Sequence, residues 1–88
     1  MKLKDGIIVS RADGNYVAVD AGIDGRRFNG MLKLNPTAAF IVEALKEETT
    51  FEQLKEKLIG EYGIDDKTAA DSVESVLQTL RSVDLIRE

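Results

Sequence analysis

The chain has 88 residues, carries a formal net charge of −4 and contains neither cysteine nor histidine. These absences exclude a disulfide framework, a thiolate zinc site, a cysteine nucleophile and a histidine base. No apolar stretch approaches the ~18 residues of a membrane span and no signal-peptide pattern is present, so we expect a cytoplasmic protein. At this length we expect a single domain, residues 1–88, with a modest core.

The charge is unevenly distributed between the two parts of the chain. Residues 1–35 carry six basic and four acidic side chains, whereas residues 36–88 carry six basic and twelve acidic ones. Nucleic-acid binding depends on clustered Lys and Arg side chains that release counterions from phosphates. The acidic second part therefore argues against a nucleic-acid partner.

Three segments rich in β-branched and aromatic residues predict an antiparallel meander. They cover about residues 7–12, 15–21 and 27–34. Asp13-Gly14 separates the first two segments and is the strongest local signal for a two-residue hairpin loop, which pairs Ala12 with Asn15. The first two strands are therefore predicted to form a hairpin of defined register.

The connection to the third strand allows two turn sites. A turn at Asp24-Gly25 pairs Val17 with Leu32, while Asn29-Gly30 is a competing site. With the first turn, the predicted core face carries Ile8, Val17, Val19, Ala21, Phe28, Leu32 and Leu34. The opposite face then carries Ile7, Val9, Tyr16, Ala18, Met31 and Lys33. A one-residue slip in this register would exchange the faces.

Three helices follow, expected over about residues 36–47, 51–62 and 66–83. The Asn-Pro pair at residues 35–36 marks the start of the first helix. Thr50 and Gln53 form a capping box for the second, and Asp65 or Asp66 caps the third. The apolar stripe of the third helix comprises Ala69, Val73, Val76, Leu77, Leu80 and Val83.

Three strands followed by three helices predict an α+β domain of winged-helix-like architecture, with Leu85 and Ile86 folded back on the core. A winged-helix DNA-binding regulator is therefore one functional alternative. However, residues 65–85 contain only two basic residues, Lys67 and Arg81, against five acidic ones. No spacing of carboxylates singles out a metal site or an acid/base pair, so neither catalysis nor a cofactor is predicted.

The predicted meander leaves the outer edge of its third strand unpaired. Such an edge exposes N–H and C=O groups that can receive an added peptide strand. A second alternative is a structural module that forms a homodimer through the apolar opposite face, with Ile7, Val9, Ala18 and Met31. The free edge makes peptide binding the first functional hypothesis.

Three stretches together resemble the PqqD-like family, whose module is also called the RiPP recognition element. They are LNPTAAFIVEAL over residues 34–45, TFEQLKEKLIGEYGID over 50–65 and SVESVLQTLRSVDLI over 72–86. The resemblance implies a non-catalytic carrier that binds the leader segment of a ribosomally made precursor peptide as an added strand. It further implies that the carrier presents this peptide to a separate modifying enzyme, often a radical S-adenosylmethionine enzyme.

Transferred onto this sequence, the resemblance implies a peptide-binding site shared by the strand edge and the third helix. The strand edge comprises Asn29, Gly30, Met31, Leu32, Lys33 and Leu34. The helix wall comprises Ala70, Val73, Glu74 and Leu77, and the acidic Glu74 would favour a leader with Lys or Arg nearby. Asp84 departs from the family pattern, which commonly has glycine there, so the third helix is expected to end differently.

Overall fold

A computed structural model describes residues 1–12, 14–20 and 31–87 of the chain. In chain order the described elements are β1 (Lys2–Leu3), β2 (Ile7–Ala12), β3 (Asn15–Asp20), β4 (Met31–Leu34), α1 (Pro36–Ala44), α2 (Phe51–Tyr62), α3 (Asp66–Ser82) and β5 (Ile86–Arg87). The larger sheet is antiparallel in the order β2-β3-β4, and β1 pairs with β5. The predicted α+β arrangement of a three-stranded sheet and three helices is confirmed.

The first hairpin has the predicted register. β2 and β3 pair along their whole length, and Ala12 lies opposite Asn15 and Ile8 opposite Val19. Gly14 has a φ of 79°, a left-handed value that glycine adopts without the steric cost of a Cβ atom. The register was predictable because a two-residue loop determines it locally.

The pairing of β3 with β4 is shifted by one residue from the prediction. Val17 pairs with Lys33 and Ala18 pairs with Leu32, so the predicted pairing of Val17 with Leu32 is wrong. Leu32 and Leu34 still point to the core side, and β3 consequently turns its other face inward. The predicted turns and the predicted core residues Ala21 and Phe28 lie outside the described residues.

The core face of the hairpin is therefore the face that was predicted to point away from the core. It carries Ile7, Val9, Tyr16 and Ala18 in place of the predicted Ile8, Val17 and Val19. Ala18 is fully buried whereas Ile8 is 50% exposed. Val17 is also buried, but it does not belong to the main core cluster.

Packing against α1 decides which sheet face is buried. Both strands carry apolar residues on both faces, so alternation alone does not select one. Helix α1 contacts β2, β3 and β4, and Ala18 is fully buried in the main core cluster. The homodimer surface predicted through Ile7, Val9, Ala18 and Met31 is wrong, since Ile7 and Ala18 are buried beneath the helices.

Each helix begins at a side-chain cap, as predicted. The Asn35 side chain accepts a backbone N–H of the first turn at 2.7 Å. Thr50 and Gln53 form both bonds of a capping box, and Asp65 accepts the N–H of Thr68 at 2.7 Å. Helix α1 ends at Ala44, three residues before the expected end at residue 47.

The helices close the core above the sheet. The fully buried large side chains are Ile41, Val42, Leu45, Leu54, Leu58, Val73, Leu77, Leu80 and Leu85. Helix α2 is also joined to α3 by an ion pair between Lys55 Nζ and the Asp66 carboxylate at 3.0 Å. The hydrogen bonds to Asp66 and to Glu52 raise the pKa of Lys55 above its ordinary value.

Helix α3 ends in a Schellman motif in which Asp84 is the left-handed residue. Its φ is 58°, and the Asp84 N–H donates to Arg81 O at 3.1 Å. The Leu85 N–H donates to Leu80 O at 2.9 Å, which completes the motif. The expectation that aspartate would change the end of the helix is therefore wrong. Lys4 Nζ donates to the Asp84 carboxylate at 2.6 Å.

The two-stranded sheet of β1 and β5 was not predicted. Leu3 pairs with Ile86, and Lys2 pairs with Arg87. The Leu3 N–H also donates to Leu45 O at 2.8 Å, which joins the N-terminal segment to the end of α1. Leu85 and Ile86 are buried, as predicted. None of the described helices has the length and apolar composition needed to cross a membrane.

Candidate functional site

The outer edge of β4 is one of the two edges of the larger sheet. β4 pairs with β3 on one side, and no strand among the described residues pairs with its other side. The chain leaves this edge at Asn35, which caps α1, so the strand ends where the helix begins. The edge therefore presents main-chain donors and acceptors immediately beside the N-terminus of α1.

A cleft separates this edge from α3, and we call it the α3 cleft. Its volume is about 180 Å³. It is lined by Leu32, Lys33, Leu34, Asn35, Ala38, Ser75, Val76, Thr79 and Leu80. Apolar and polar atoms contribute about equally to its lining, and the Ser75 and Thr79 side chains lie on the exposed flank of α3. A side chain of an added strand that points toward α3 would enter this cleft.

A second cleft of about 310 Å³ continues the first along α3. The two clefts share Asn35, Ala38, Ser75 and Val76. The residues that line only the second cleft are Thr37, Asp71 and Ser72. The result is one groove that runs from β4 past the start of α1 along about two and a half turns of α3.

The structure brings part of the predicted strand edge to this groove. Leu32, Lys33 and Leu34 line the α3 cleft, and Met31 begins β4. Asn29 and Gly30 lie outside the described residues. The described part of the predicted edge and the groove are therefore contiguous.

The predicted helix wall does not line the groove. Val73 is fully buried and Leu77 is 1% exposed, so both belong to the core. Ala70 is half-buried, and Glu74 is exposed, where its carboxylate accepts a bond from Gln78 at 3.4 Å. None of the four residues contributes to either cleft. The groove side of α3 carries Ser72, Ser75, Val76 and Thr79 instead.

Helix geometry explains this difference. At 100° per residue, the core stripe through Val73 and Leu77 has one flank with Ala70 and Glu74 and an opposite flank with Val76 and Thr79. The sequence shows the stripe but does not show which flank faces β4. Small polar residues at Ser72, Ser75 and Thr79 are a weak signal that could have indicated the groove side, because a long side chain there would fill it.

The charged groups near the groove lie at its margins. Lys33 is exposed on β4. Asp71 accepts from Lys67 at 3.1 Å, and both side chains are mostly exposed. At the start of α3, the hydroxyl and the N–H of Thr68 donate to Asp65 and hold the pKa of that carboxyl below its ordinary value. The groove thus presents main-chain hydrogen-bonding groups and a mixed polar and apolar lining, with Lys33 beside the strand.

The described residues contain no group of three or more side chains that could hold a metal ion. Within the same residues, every buried side-chain nitrogen or oxygen has a hydrogen-bond partner.

Comparisons with solved structures identify the same fold in two complexes. TbiB1 in complex with the TbiA(beta) leader peptide superposes with a TM-score of 0.73 at 21% identity, covering 97% of this chain and 93% of that one. A lasso peptide synthetase B1 complexed with the leader peptide has a TM-score of 0.72 at 24% identity, covering 99% and 96%. A comparison with curated protein sequences found no significant match.

The resemblance noted in the sequence is confirmed by a family model that matches residues 7–86. This range includes the larger sheet, all three helices and the start of β5. The model is described as PqqD, coenzyme PQQ synthesis protein D, and the chain belongs to this family.

Proposed function

We propose that this protein binds the leader segment of a ribosomally made precursor peptide by strand addition at the outer edge of β4. The observation that carries the proposal is the joint position of the free edge and the α3 cleft, since Leu32, Lys33 and Leu34 belong to both. Two solved structures of proteins with the same fold are complexes with a leader peptide, which supports this type of ligand. The leader would extend the sheet to a fourth strand.

The geometry divides the leader into two alternating sets of side chains. In a β-strand, successive side chains point to opposite faces, and residues opposite each other in a ladder share a face. Leader residues opposite Leu32 and Leu34 would therefore point toward α3 and enter the cleft. Leader residues opposite Lys33 would point away from α3 and toward its ammonium group, which favours an acidic side chain there.

The interaction energies are sufficient for useful affinity. The four residues of β4 can offer about four main-chain hydrogen bonds to an added strand, at about 0.5–1.5 kcal/mol each. One or two apolar anchors in the cleft would add about 1.5–3 kcal/mol each. Ordering the leader offsets part of this total, so the anchors are needed to reach a micromolar dissociation constant, about −8 kcal/mol.

The second part of the proposal is that the protein is a non-catalytic carrier that presents the bound leader to a separate modifying enzyme, such as a radical S-adenosylmethionine enzyme. The support is the type of site, which offers a strand edge beside a groove lined by both apolar and polar side chains. Among the described residues, DNA binding through α3 is disfavoured by the acidic side chains on its exposed surface, including Asp66, Asp71 and Glu74.

The test is an NMR titration of ¹⁵N-labelled protein with the leader of a precursor peptide encoded beside this gene. We expect shifts concentrated on the amides of residues 31–34 and on Ser75, Val76 and Thr79. A scrambled leader of equal composition is the control and should leave these amides unshifted. Saturating leader without shifts in either region, or equal shifts with the scrambled peptide, would contradict the proposal.

A further inference from the structure

A further cleft, distinct from the two that form the groove, lies beside the opposite edge of the sheet, and leader binding at β4 does not use it. We propose that the outer edge of β2 docks an extended segment of the modifying enzyme that carries a carboxylate and an apolar side chain two positions apart. The identity of the partner as that enzyme rests on the function proposed above. The chemistry of the segment follows from the residues at this edge.

The cleft beside β2, called the β2 cleft, is larger than the α3 cleft, at about 410 Å³ against about 180 Å³. Its lining is mainly apolar and includes the side chains of Val9, Tyr16, Phe40 and Tyr62. The Phe40 and Tyr62 rings meet edge to face, with centroids 5.7 Å apart, which makes a rigid aromatic wall. No strand among the described residues pairs with this side of β2.

Exposed apolar side chains lie both on the edge strand β2 and in the cleft beside it. Among the described residues, the exposed large hydrophobic side chains are Ile8, at 50%, and Tyr62, at 44%. Tyr62 lines the cleft, whereas Ile8 lies on the edge strand itself with its side chain on the opposite sheet face. An edge strand with an exposed apolar residue beside an apolar cleft is the combination that a strand-adding partner covers.

The charges at the cleft indicate the sign of the partner. Arg11 is exposed, and its guanidinium lies 6.0 Å from the centroid of the Tyr16 ring without an ion pair to any described carboxylate. Glu43, the acidic residue of the lining, already pairs with Lys46 at 3.1 Å. Within the described residues, the lining therefore offers one exposed cation, Arg11, while its carboxylate is paired, so an incoming carboxylate is favoured.

Strand geometry sets the spacing of the two partner side chains. Val9 and Arg11 are two residues apart, so their side chains share the face that lines the cleft. A segment paired antiparallel to β2 would place its carboxylate opposite Arg11 and, two residues later, its apolar side chain opposite Val9. This predicts the order acidic residue, any residue, apolar residue.

The two edges can be occupied together. β3 lies between β2 and β4, so strands added outside both edges would be about 19 Å apart, four strand spacings. The leader and the enzyme segment would then extend one continuous five-stranded sheet. Docking at β2 would hold the enzyme near the leader without competing for its groove.

The test uses two synthetic hexapeptides of identical composition and the ¹⁵N-labelled full chain. The first, acetyl-Thr-Asp-Val-Phe-Val-Thr-amide, has Asp and Phe two positions apart. The second, acetyl-Thr-Val-Asp-Phe-Val-Thr-amide, has them adjacent and hence on opposite faces. We expect the first peptide to shift the amides of residues 7–12 and to bind at least about fivefold more tightly than the second.

The variant Arg11→Glu provides the charge test, because Arg11 is exposed and its replacement leaves the core intact. We expect the Arg11→Glu protein to lose the preference for the first hexapeptide and to bind a version of that peptide with Lys in place of Asp. Equal binding of the two hexapeptides, shifts at residues 31–34 instead, or no shifts at 5 mM peptide would overturn the proposal.

A concentration-dependent shift of residues 7–12 without peptide would also overturn the proposal, since the occupant would then be a second copy of this chain. The leader titration monitors the amides of residues 31–34, whereas the docking test monitors those of residues 7–12. Failure of docking at β2 is therefore distinguishable from failure of leader binding.

Discussion

Replacing Thr79 with arginine should block the α3 cleft and leave the fold intact. Thr79 is exposed on the groove side of α3, and its hydroxyl donates only to Ser75 O within its own helix, at 3.1 Å. Arginine has a higher helix propensity than threonine, so the helix should tolerate the change. The long arginine side chain would occupy much of a cleft of only about 180 Å³.

The expected loss follows from one displaced anchor. Burial of a single apolar leader side chain is worth about 1.5–3 kcal/mol, so the dissociation constant of the leader should rise about 10- to 150-fold. Isothermal titration calorimetry of the wild-type and Thr79→Arg proteins against the same leader measures this change. A thermal melt of each protein checks that the variant remains folded.

The matched control is Gln78→Arg, which introduces the same charge one residue away on the same helix. Gln78 is exposed and lines neither cleft, so its replacement should change the affinity by less than about twofold. A Thr79→Arg protein that binds within twofold of wild type would refute the reasoning, as would an equal loss in the control. If Glu74→Gln lost much of its affinity for the leader while Thr79→Arg did not, the flank of α3 predicted from the family would bind the leader.

Three further predictions concern the helix ends. Asp84 has a φ of 58°, so the Asp84→Gly protein should have a free energy of unfolding in urea about 1 kcal/mol higher than the Asp84→Ala protein. Both variants lack the ion pair to Lys4 and differ chiefly in the cost of the left-handed backbone. Equal stabilities of the two variants would argue against this cost. Thr50→Ala should lower the free energy of unfolding by about 1 kcal/mol because it removes a capping bond, whereas Thr50→Ser should not. The hydroxyl and N–H of Thr68 lower the pKa of Asp65 in the folded protein. The ionised Asp65 side chain therefore stabilises the fold above about pH 4, and this stabilisation is lost as the pH falls through the folded-state pKa. Unfolding of Asp65→Asn should therefore depend less on pH between about pH 5 and 2 than that of wild type, and an unchanged acid dependence would contradict this cause.

Local signals in the sequence were sufficient for the three strands of the larger sheet, the three helix starts and one strand register. Asp13-Gly14 determines the pairing of β2 with β3 because a two-residue loop leaves no freedom in the register. The capping side chains of Asn35, Thr50 and Asp65 mark the helix starts, since each bond spans three residues of the chain. These features depend on neighbours in sequence and were predictable for that reason.

Long-range features required the tertiary structure. The pairing of β1 with β5 joins the two ends of the chain through two residues on each side, which leaves no pattern to detect. The sequence offers two competing turn sites before β4, and a shift of one residue in the register exchanged the predicted faces of β3. Only the contact with α1 shows that Ala18, and not Val17, lies in the main core cluster.

The candidate site divides in the same way. The amino-acid sequence by itself determined the α+β class, the helix starts, the core stripe of α3 and the family, since periodicity, caps and motif order are written along the chain. The tertiary structure decided which flank of α3 meets β4, and therefore that Ser75, Val76 and Thr79 line the groove while Ala70 and Glu74 do not. The physical reason is that a helical stripe specifies the direction of the core, whereas the neighbour on either side of that stripe is set by packing of elements distant in sequence.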